Sequence, residues 1–553
     1  MKRLIKWISL TLLSLFVIVA GLIVYINSIF KNESKKYVYK EYVIEKVDSN
    51  TICIGNNWLR QEQHGLYTLY IEGKPFERGF FAGRLTQPLI LKQELTFVKQ
   101  LKKIVRSKYY LTFLKFLIAI FDLKLYQSIP NESKAEIYGL SLSASDSFNY
   151  IATNYQRILN YQAAHDLGHM LSNMGMVGCT SFGIWNEKTP DGNLLIGRNF
   201  DFYISEEFAE DKIVAFVNPD SGYFHSFITW GGMMGAVSGM NEKGLTVTIN
   251  AANSDINIKA ATPVSIVARQ ILQYAADIEE AVKIASKFDI FVSELFLIGS
   301  AADNKAVIIE KRPGSQIVFT EDDNYIISTN HFQSVQNGFS VKSKEQQSNT
   351  ASDYRFERVK ECLSSQNRFN ASDLINILRD TLGINNTSIG LGNEKAINQL
   401  IGHHSIIFYP KERIFWVSTS PYQVGHFVGY NLKEIAANKK LEPNFNTLID
   451  SMYIKPDEAF LAHAFPRYEL YLELSKKNLV HEIDAKGIKL LISLNPNYYN
   501  AYVQAGDYYV NCNQSALALT FYSKALSCII PSEKEYDRIN EKFTNCRKKL
   551  VSQ

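Results

Sequence analysis

Hydrophobic positions along this chain recur at two periods, and the period changes from region to region. Between residues 179 and 425 they come in short runs, at 213–217, 224–230, 245–250, 294–300, 305–310, 316–320 and 325–329, with later runs at 404–410 and 413–419. Runs of that length bounded by turn residues predict strands. Residues 263–287, 353–366 and 372–382 instead repeat every three to four positions, which predicts amphipathic helices. Upstream, Tyr67–Ile71 alternates like a strand, and Pro75 to Lys92 is helical in pattern, with Gly79 and Gly83 as small contacts. Segments 94–127 and 133–175 carry Leu, Ile and Tyr at helical spacing. Strands with helices before, between and after them predict an α+β fold of two packed sheets with helices on their outer faces.

The N-terminus follows a third pattern. Trp7 to Phe30 carries no charged residue, and Lys2, Arg3 and Lys6 precede it. Such a run is long enough to span a bilayer and predicts a transmembrane helix acting as a signal anchor. A cleaved signal peptide would have a shorter apolar core and a small-residue cleavage site, which is not found here. The short basic end stays cytoplasmic by the positive-inside rule. That puts the rest of the chain on the extracytoplasmic, periplasmic side. The expected division is a cytoplasmic N-terminus and membrane anchor at 1–30, a helical segment at 31–178, a strand-rich domain at 179–430 and a helical tail at 455–553.

Composition is ordinary for a globular protein, with 46% hydrophobic and 21% charged residues. A net charge of +4 is too small to argue for a nucleic-acid partner.

The candidate chemistry lies in Met176-Val177-Gly178-Cys179-Thr180-Ser181-Phe182, followed by Gly197-Arg198-Asn199-Phe200-Asp201. Thr189-Pro190-Asp191-Gly192-Asn193 between them reads as a turn. The two segments are therefore expected to form a hairpin that returns Arg198 and Asp201 beside Cys179. A thiol needs a base, and no histidine lies nearby in sequence. Cutting the Gly178–Cys179 bond would free an α-amine on the same residue, with an unperturbed pKa of about 7.7–8.0. That amine suits the role of proton acceptor for its own sulfur. Gly178, lacking a Cβ, lets the thiol reach the preceding carbonyl. The rival reading is a buried structural cysteine.

These two motifs, together with Met240-Asn241-Glu242-Lys243-Gly244-Leu245 and Thr329-Asn330-His331-Phe332, resemble the N-terminal-nucleophile (Ntn) hydrolases. The nearest groups are the choloylglycine hydrolase and penicillin V acylase group and the acyl-coenzyme A:6-aminopenicillanic acid acyltransferase group. The resemblance covers about residues 175–425 and implies a four-layer αββα sandwich. It implies Cys179 as the nucleophile, with Gly178, Cys179 and Ser181 at the processing site. Asp201 would hold the α-amine and Arg198 would lie beside the thiolate. Asn250 and Asn330 would serve the oxyanion, and Arg355, in Ser352-Asp353-Tyr354-Arg355-Phe356, would complete the site. His331 reads as a core or rim histidine rather than a base.

The expected protein is thus a membrane-anchored, self-processing cysteine amidase or acyltransferase. Its partner is a small-molecule acyl amide or acyl-thioester, handled through an acyl-Cys179 intermediate without cofactor or metal. Two other classes stay open: a peptidase of different specificity, and a non-catalytic scaffold carrying a relict hydrolase domain. Trp230-Gly231-Gly232-Met233-Met234-Gly235 lacks the phosphate-loop lysine and reads as a turn beside the acyl pocket. His165 and His169 share a helix face, but the glutamate of H-E-x-x-H is missing, so they read as polar or hydrogen-bonding histidines. In the tail, Tyr502, Ala505, Gly506, Tyr509, Ala518, Tyr522 and Ala525 resemble tetratricopeptide spacing. Pro496 and Pro531 lie about one 34-residue period apart. The tail is expected to pack on the catalytic domain or on a protein partner. Of the six cysteines, Cys512 and Cys528 would sit at opposite ends of a helix pair, too far apart to bridge.

Overall fold

A computed structural model of the chain describes residues 36–37, 39–104, 121–171, 178–202, 205–252, 261–334, 350–438 and 447–552, together with Trp7, Ser14, Gly21, Tyr25 and Ser28. Its strands in chain order are β1 Glu45–Lys46, β2 Thr51–Ile54, β3 Asn57–Gln61, β4 Leu66–Gly73, β5 Thr180–Asn186 and β6 Gly192–Asp201. There follow β7 Lys212–Pro219, β8 His225–Thr229, β9 Ser238–Asn241, β10 Leu245–Ala251, β11 Glu294–Ser300 and β12 Lys305–Arg312. The last are β13 Ser315–Phe319, β14 Tyr325–Ser328, β15 Gly402–Tyr409, β16 Ile414–Ser418, β17 Phe427–Asn431 and β18 Ile449–Ile454. They form two sheets. The larger runs β1-β2-β3-β4-β7-β8-β9-β10-β11-β12-β13 and the smaller β14-β5-β6-β15-β16-β17-β18.

Successive side chains on a strand point to opposite faces, and this alternation sorts the core into three layers. On β7, Val214 and Phe216 point between the sheets, while Ile213, Ala215 and Val217 point to the opposite face. Leu295 and Leu297 of β11 likewise face the smaller sheet, meeting Ile406, Phe408, Phe415 and Val417. The outer face of the larger sheet packs on the helices Val264–Tyr274 and Ile278–Ser286 and on the upstream helices. The outer face of the smaller sheet, through Phe182, Ile184, Ile407 and Trp416, packs on Ala351–Ser364 and Ala371–Leu378. These are the four layers α, β, β, α. Strands buried on both faces read as unbroken apolar runs, which is why they stood out in the sequence.

Residues 263–287 form two helices rather than one. The chain breaks at Ala275–Asp277, where the Asp277 carboxylate accepts from the backbone N–H of Glu280 and starts the second helix. The upstream region is also less helical than expected. Its residues 45–73 supply four strands to the larger sheet, and β4 pairs with β7 in parallel, from Leu66↔Lys212 to Gly73↔Pro219. The smaller sheet runs on to Ile454, past the boundary expected at 430.

The upstream helices Pro75–Leu85 and Asn131–Ser141 cross with almost no space between their backbones. A Cβ on Gly79 would lie 1.8 Å from the carbonyl oxygen of Glu136, and one on Gly139 would lie 2.3 Å from that of Phe76. The same contact buries Arg78, whose guanidinium lies 3.4 Å from Glu136 and 3.1 Å from Asp220. Arg269, on the helix 264–274, also reaches Glu136 at 3.4 Å. A buried carboxylate with two cationic partners ties the upstream helices to the helix 264–274 on the larger sheet.

The tail from 465 is five helices, Phe465–Leu479, Ala485–Leu494, Tyr499–Asn511, Ser515–Leu526 and Glu533–Ser552. It is seated on the loop 388–400. Asn495 accepts from the Leu391 N–H at 3.0 Å and donates to its carbonyl at 2.8 Å. Asn393 donates to Ile529 at 3.1 Å, and a Cβ on Gly390 would lie 2.5 Å from the backbone of Tyr498. Each of the six cysteines is a free thiol.

The membrane anchor expected at 7–30 is corrected, and with it the single-pass topology and the extracytoplasmic placement drawn from it. Among the described residues no helix is long and apolar enough to cross a membrane. Crossing takes about 20 consecutive apolar residues. The long described helices Gln87–Ile104 and Glu533–Ser552 carry Lys and Glu along their length. Most of the run 7–30 itself lies outside the described residues.

The glycine crossing yields a stability prediction. Gly79→Val and Gly139→Val each force the two helices apart, and each is expected to cost at least the roughly 1–3 kcal/mol typical of overpacking. A urea unfolding series with an unshifted midpoint for both would refute this.

Candidate active site

The hairpin places the two motif halves side by side. β5 and β6 pair antiparallel, with Thr180 opposite Asn199 and Ser181 opposite Arg198. Cys179 sits just before β5 and is fully buried. Its sulfur lies 3.8 Å from the Arg198 guanidinium and 3.9 Å from the Asp201 carbonyl oxygen. The peptide nitrogen of Gly178 donates to that same carbonyl at 3.0 Å.

Arg198 follows Leu194 and Ile196 along the inward face of β6, so its guanidinium crosses to the larger sheet. There it donates to the carbonyls of Val237, at 3.0 Å, and Ile249 and to the Ser238 hydroxyl. Its planar group also stacks over the Phe200 ring at 4.4 Å. Ser238 pairs in turn with His404 at 2.8 Å, and His404 with His403 at 2.9 Å.

Arg355 lies on the opposite side, on the outer helix 351–364. It donates to the Cys179 carbonyl at 2.6 Å, to the Thr180 hydroxyl at 2.9 Å and to the Asn330 side-chain oxygen at 2.8 Å. Asn330 is held by Ser352, which accepts from its backbone N–H at 2.7 Å, and donates to the Ala251 carbonyl at 2.8 Å. Asn250 shares a face of β10 with Thr246 and Thr248 and reaches across the sheet gap. It donates to the Ser181 hydroxyl and to the Ser328 carbonyl, both at 2.9 Å. The Asp201 carboxyl accepts from Gln423 at 3.4 Å; its other oxygen has no hydrogen-bond partner among the described residues.

Burial governs the charges here. It pushes the Cys179 thiol up to about 11, with Arg198 pulling the other way. It pushes the Asp201 carboxyl up to about 7, against the pull of Arg355 and Arg198. It lowers Arg355 to about 10, with Asp201 opposing. His331 is pushed down to about 4 by burial and by Arg355, and its ring meets the Ser352 hydroxyl at 2.9 Å. A neutral ring engaged in that bond is a packing group on the edge of the site.

The residues expected at the catalytic and processing site meet within this one region, though not in identical ways. Cys179, Arg198, Asp201, Asn330 and Arg355 form one contiguous hydrogen-bonded and electrostatic set. Asn250 joins it through Ser181 rather than through the sulfur. Asn241 of the Met240–Leu245 motif serves the fold. Its side chain accepts from the N–H groups of Lys243 and Leu245 and donates to the carbonyls of Leu272 and Ala275. The Trp230–Gly235 turn is closely packed: a Cβ on Gly231 would meet the Leu89 backbone at 2.5 Å, and one on Gly235 the Ser265 hydroxyl at 2.3 Å. His165 is buried 3.7 Å from Glu294, beside the rings of Phe200 and Phe202; the side chain of His169 lies outside the described residues. Among the described residues no His, Cys, Asp and Glu group is arranged to hold a metal ion. The sequence reading missed Ser238, Gln399, Gln423 and His404, which stand outside any spaced motif and enter through loop ends and strand register; Ser352 lay in the Arg355 segment but was given no role.

Residues 185–419 match the family model described as acyl-coenzyme A:6-aminopenicillanic acid acyl-transferase. Arg198, Asp201, Asn250, Asn330 and Arg355 lie inside that span, and Cys179 lies just before it. The chain is 25% identical over 265 residues to an uncharacterized protein of Archaeoglobus fulgidus, covering 43% of this chain and 41% of that one. It is 22% identical over 262 residues to protein dcd1B of Dictyostelium discoideum, covering 44% and 49%. The match thus spans less than half of either relative's length. Among solved structures, the Caenorhabditis elegans N-acylethanolamine-hydrolyzing acid amidase ortholog aligns with 42% of this chain and 93% of its own, at 19% identity and TM-score 0.32. A mutant conjugated bile acid hydrolase of Clostridium perfringens aligns with 49% and 95%, at 13% identity and TM-score 0.32. Residues 185–419, less than half of the chain, are thus similar to the acyl-coenzyme A:6-aminopenicillanic acid acyl-transferase family.

Proposed function

We propose that this protein is a self-processing amidase or acyltransferase whose nucleophile is Cys179 once the Gly178–Cys179 bond is cut. The observation that carries the reading is the burial of that thiol 3.8 Å from Arg198, directly after a glycine and against Asp201. In the uncut chain the thiol holds its proton, because burial sets its pKa at about 11. Cutting the bond converts the peptide nitrogen of residue 179 into an α-amine, the proton acceptor the thiol lacks. The unpartnered Asp201 oxygen is the anion that would receive the resulting ammonium. Arg198 is the cation that steadies the thiolate.

In the mature protein the thiolate attacks the carbonyl carbon of an amide or thioester. The α-ammonium protonates the leaving nitrogen or sulfur, leaving an acyl-Cys179 thioester. Water then gives hydrolysis, whereas an amine or alcohol gives acyl transfer. Asn250 and Asn330 are the candidate oxyanion donors, and Arg355 holds the Cys179 carbonyl so that the sulfur keeps its aim. This chemistry asks for no cofactor.

Four outcomes test the reading. Cys179→Ala is expected to stay whole on a denaturing gel, while the wild type splits into a piece ending at Gly178 and a piece beginning at Cys179; two unsplit proteins would end the proposal. The split pieces are expected to co-elute in size-exclusion chromatography, because β4 stays paired with β7 and Glu136 with Arg269. Labelling of Cys179 by an acyl-type electrophile is expected to follow two pH profiles within one sample. The cut species rises near the α-amine range of about 7.7–8.0, and the uncut species only towards about 11. Coincident profiles would contradict the role given to the amine. Against a panel of N-acyl amides and thioesters, Asn330→Ala is expected to lower kcat by about 10²–10³, and an unchanged kcat would remove Asn330 from the oxyanion role.

A further inference from the structure

The carbonyl that reacts in self-cleavage is that of Gly178, and its oxyanion needs a donor within reach. Neither Asn250 nor Asn330 is aimed there: the amide nitrogen of Asn250 is engaged with Ser181 and Ser328, and that of Asn330 with Ala251. The Gly178 carbonyl instead accepts from the side-chain amide of Gln399 at 2.7 Å. We propose that Gln399 is the oxyanion donor of the Gly178–Cys179 cleavage step, and hence a catalytic residue for maturation. This rests on the self-processing reading above.

The geometry is that of a built donor. Gln399 is buried, at 3% exposure, so its N–H acts without competing water. Its amide lies flat over Gly178: a Cβ there would come within 2.2 Å of the amide nitrogen and 2.5 Å of the oxygen. Glycine at 178 is therefore required by Gln399 as well as by the thiol. The supporting loop is fixed at both ends. Asn199, from the Gly197–Asp201 motif, donates to the carbonyls of Ile397, at 3.0 Å, and Leu378, at 2.8 Å. Asn398 accepts from the Leu400 N–H at 3.1 Å, and its own N–H donates to Asp380 at 2.8 Å. Upstream, the tail helices grip Leu391 and Asn393. The scissile unit is clamped as well: Gly178 N–H donates to Asp201, and the Cys179 carbonyl accepts from Arg355.

The step balances without an outside reagent. The sulfur of Cys179 bonds to the Gly178 carbonyl carbon, and the carbonyl electron pair moves onto oxygen, where the Gln399 N–H meets it. As the carbonyl re-forms, the C–N bond breaks and the nitrogen takes the proton that left the sulfur. The resulting thioester is hydrolysed by water to a Gly178 carboxylate and a free Cys179.

The test follows the rate at which purified full-length protein splits. Gln399→Met keeps the bulk and removes the donor; its splitting is expected to be about 10²–10³ slower than wild type. Gln399→Glu keeps the shape and is expected to be comparably slow when ionised. Its rate relative to wild type is expected to recover as the pH falls and the carboxyl gains a proton to donate. A merely structural role would leave that ratio flat. Equal thermal midpoints for the three proteins show that the fold is kept. If wild type splits and both variants split at its rate, or if the Gln399→Glu ratio ignores pH, Gln399 is not the donor and the self-processing reading stands. If wild type itself never splits, both fall together.

Discussion

Two guanidinium groups without access to water shape the centre of this molecule. Arg198 is fully buried and Arg355 is 2% exposed, and a buried cation is tolerated only where its donors are used. Arg198 places its terminal amino groups on carbonyls of the facing sheet, and Arg355 on the Cys179 carbonyl and the Asn330 side chain, while the Nε of each has no hydrogen-bond partner among the described residues. Each arginine thereby fixes a distance: Arg198 spans the gap between the sheets, and Arg355 ties the outer helix to the start of β5. Cys179 lies where the two constraints meet. Its surroundings are set by where two charges must be satisfied, more than by the cysteine itself.

The same requirement explains why the site carries so little freedom. Asp201, the anion between these cations, is fully buried and has one oxygen without a hydrogen-bond partner among the described residues. Burial raises its pKa to about 7, so in the uncut chain it sits near the boundary between charged and neutral. A new ammonium beside it would move it firmly to the charged side. In the proposed reading, an α-amine at residue 179 would give that oxygen its partner. The upstream segment, with strands in the larger sheet and a carboxylate shared with Arg78 and Arg269, belongs to the fold and is more than a cover over the site.

The tail adds a second level of support. Its helices hold the loop 388–400 through Asn495 and Asn393, and that loop ends in Gln399 and the Gly402 start of β15. Elements far apart in sequence therefore converge on one peptide bond: Asn199 from the hairpin, Asn398 from the loop and the C-terminal helices.

Periodicity determined most of the strands of 179–425, because strands buried on both faces leave dense apolar runs, though not the short β9, whose Ser238-Gly239-Met240-Asn241 is not an apolar run; it determined the hairpin, because Thr189–Asn193 is turn chemistry between two such runs. The spacing of Cys179, Arg198 and Asp201 was legible for the same reason: their proximity is local, set by one turn. Other features were decided only in three dimensions. The pairing of β4 with β7 joins segments more than a hundred residues apart, which no local pattern encodes. The break at Ala275–Asp277 reflects a cap that competes with a continuing apolar period. The apolar run at 7–30 matched a membrane-length template, yet no described helix has that length and apolarity together. Gln399, Ser238 and His404 are polar residues in polar or strand contexts, and nothing in their neighbours along the chain marks them. They matter because buried hydrogen-bonding groups must find partners, and tertiary packing alone determines which partners are within reach.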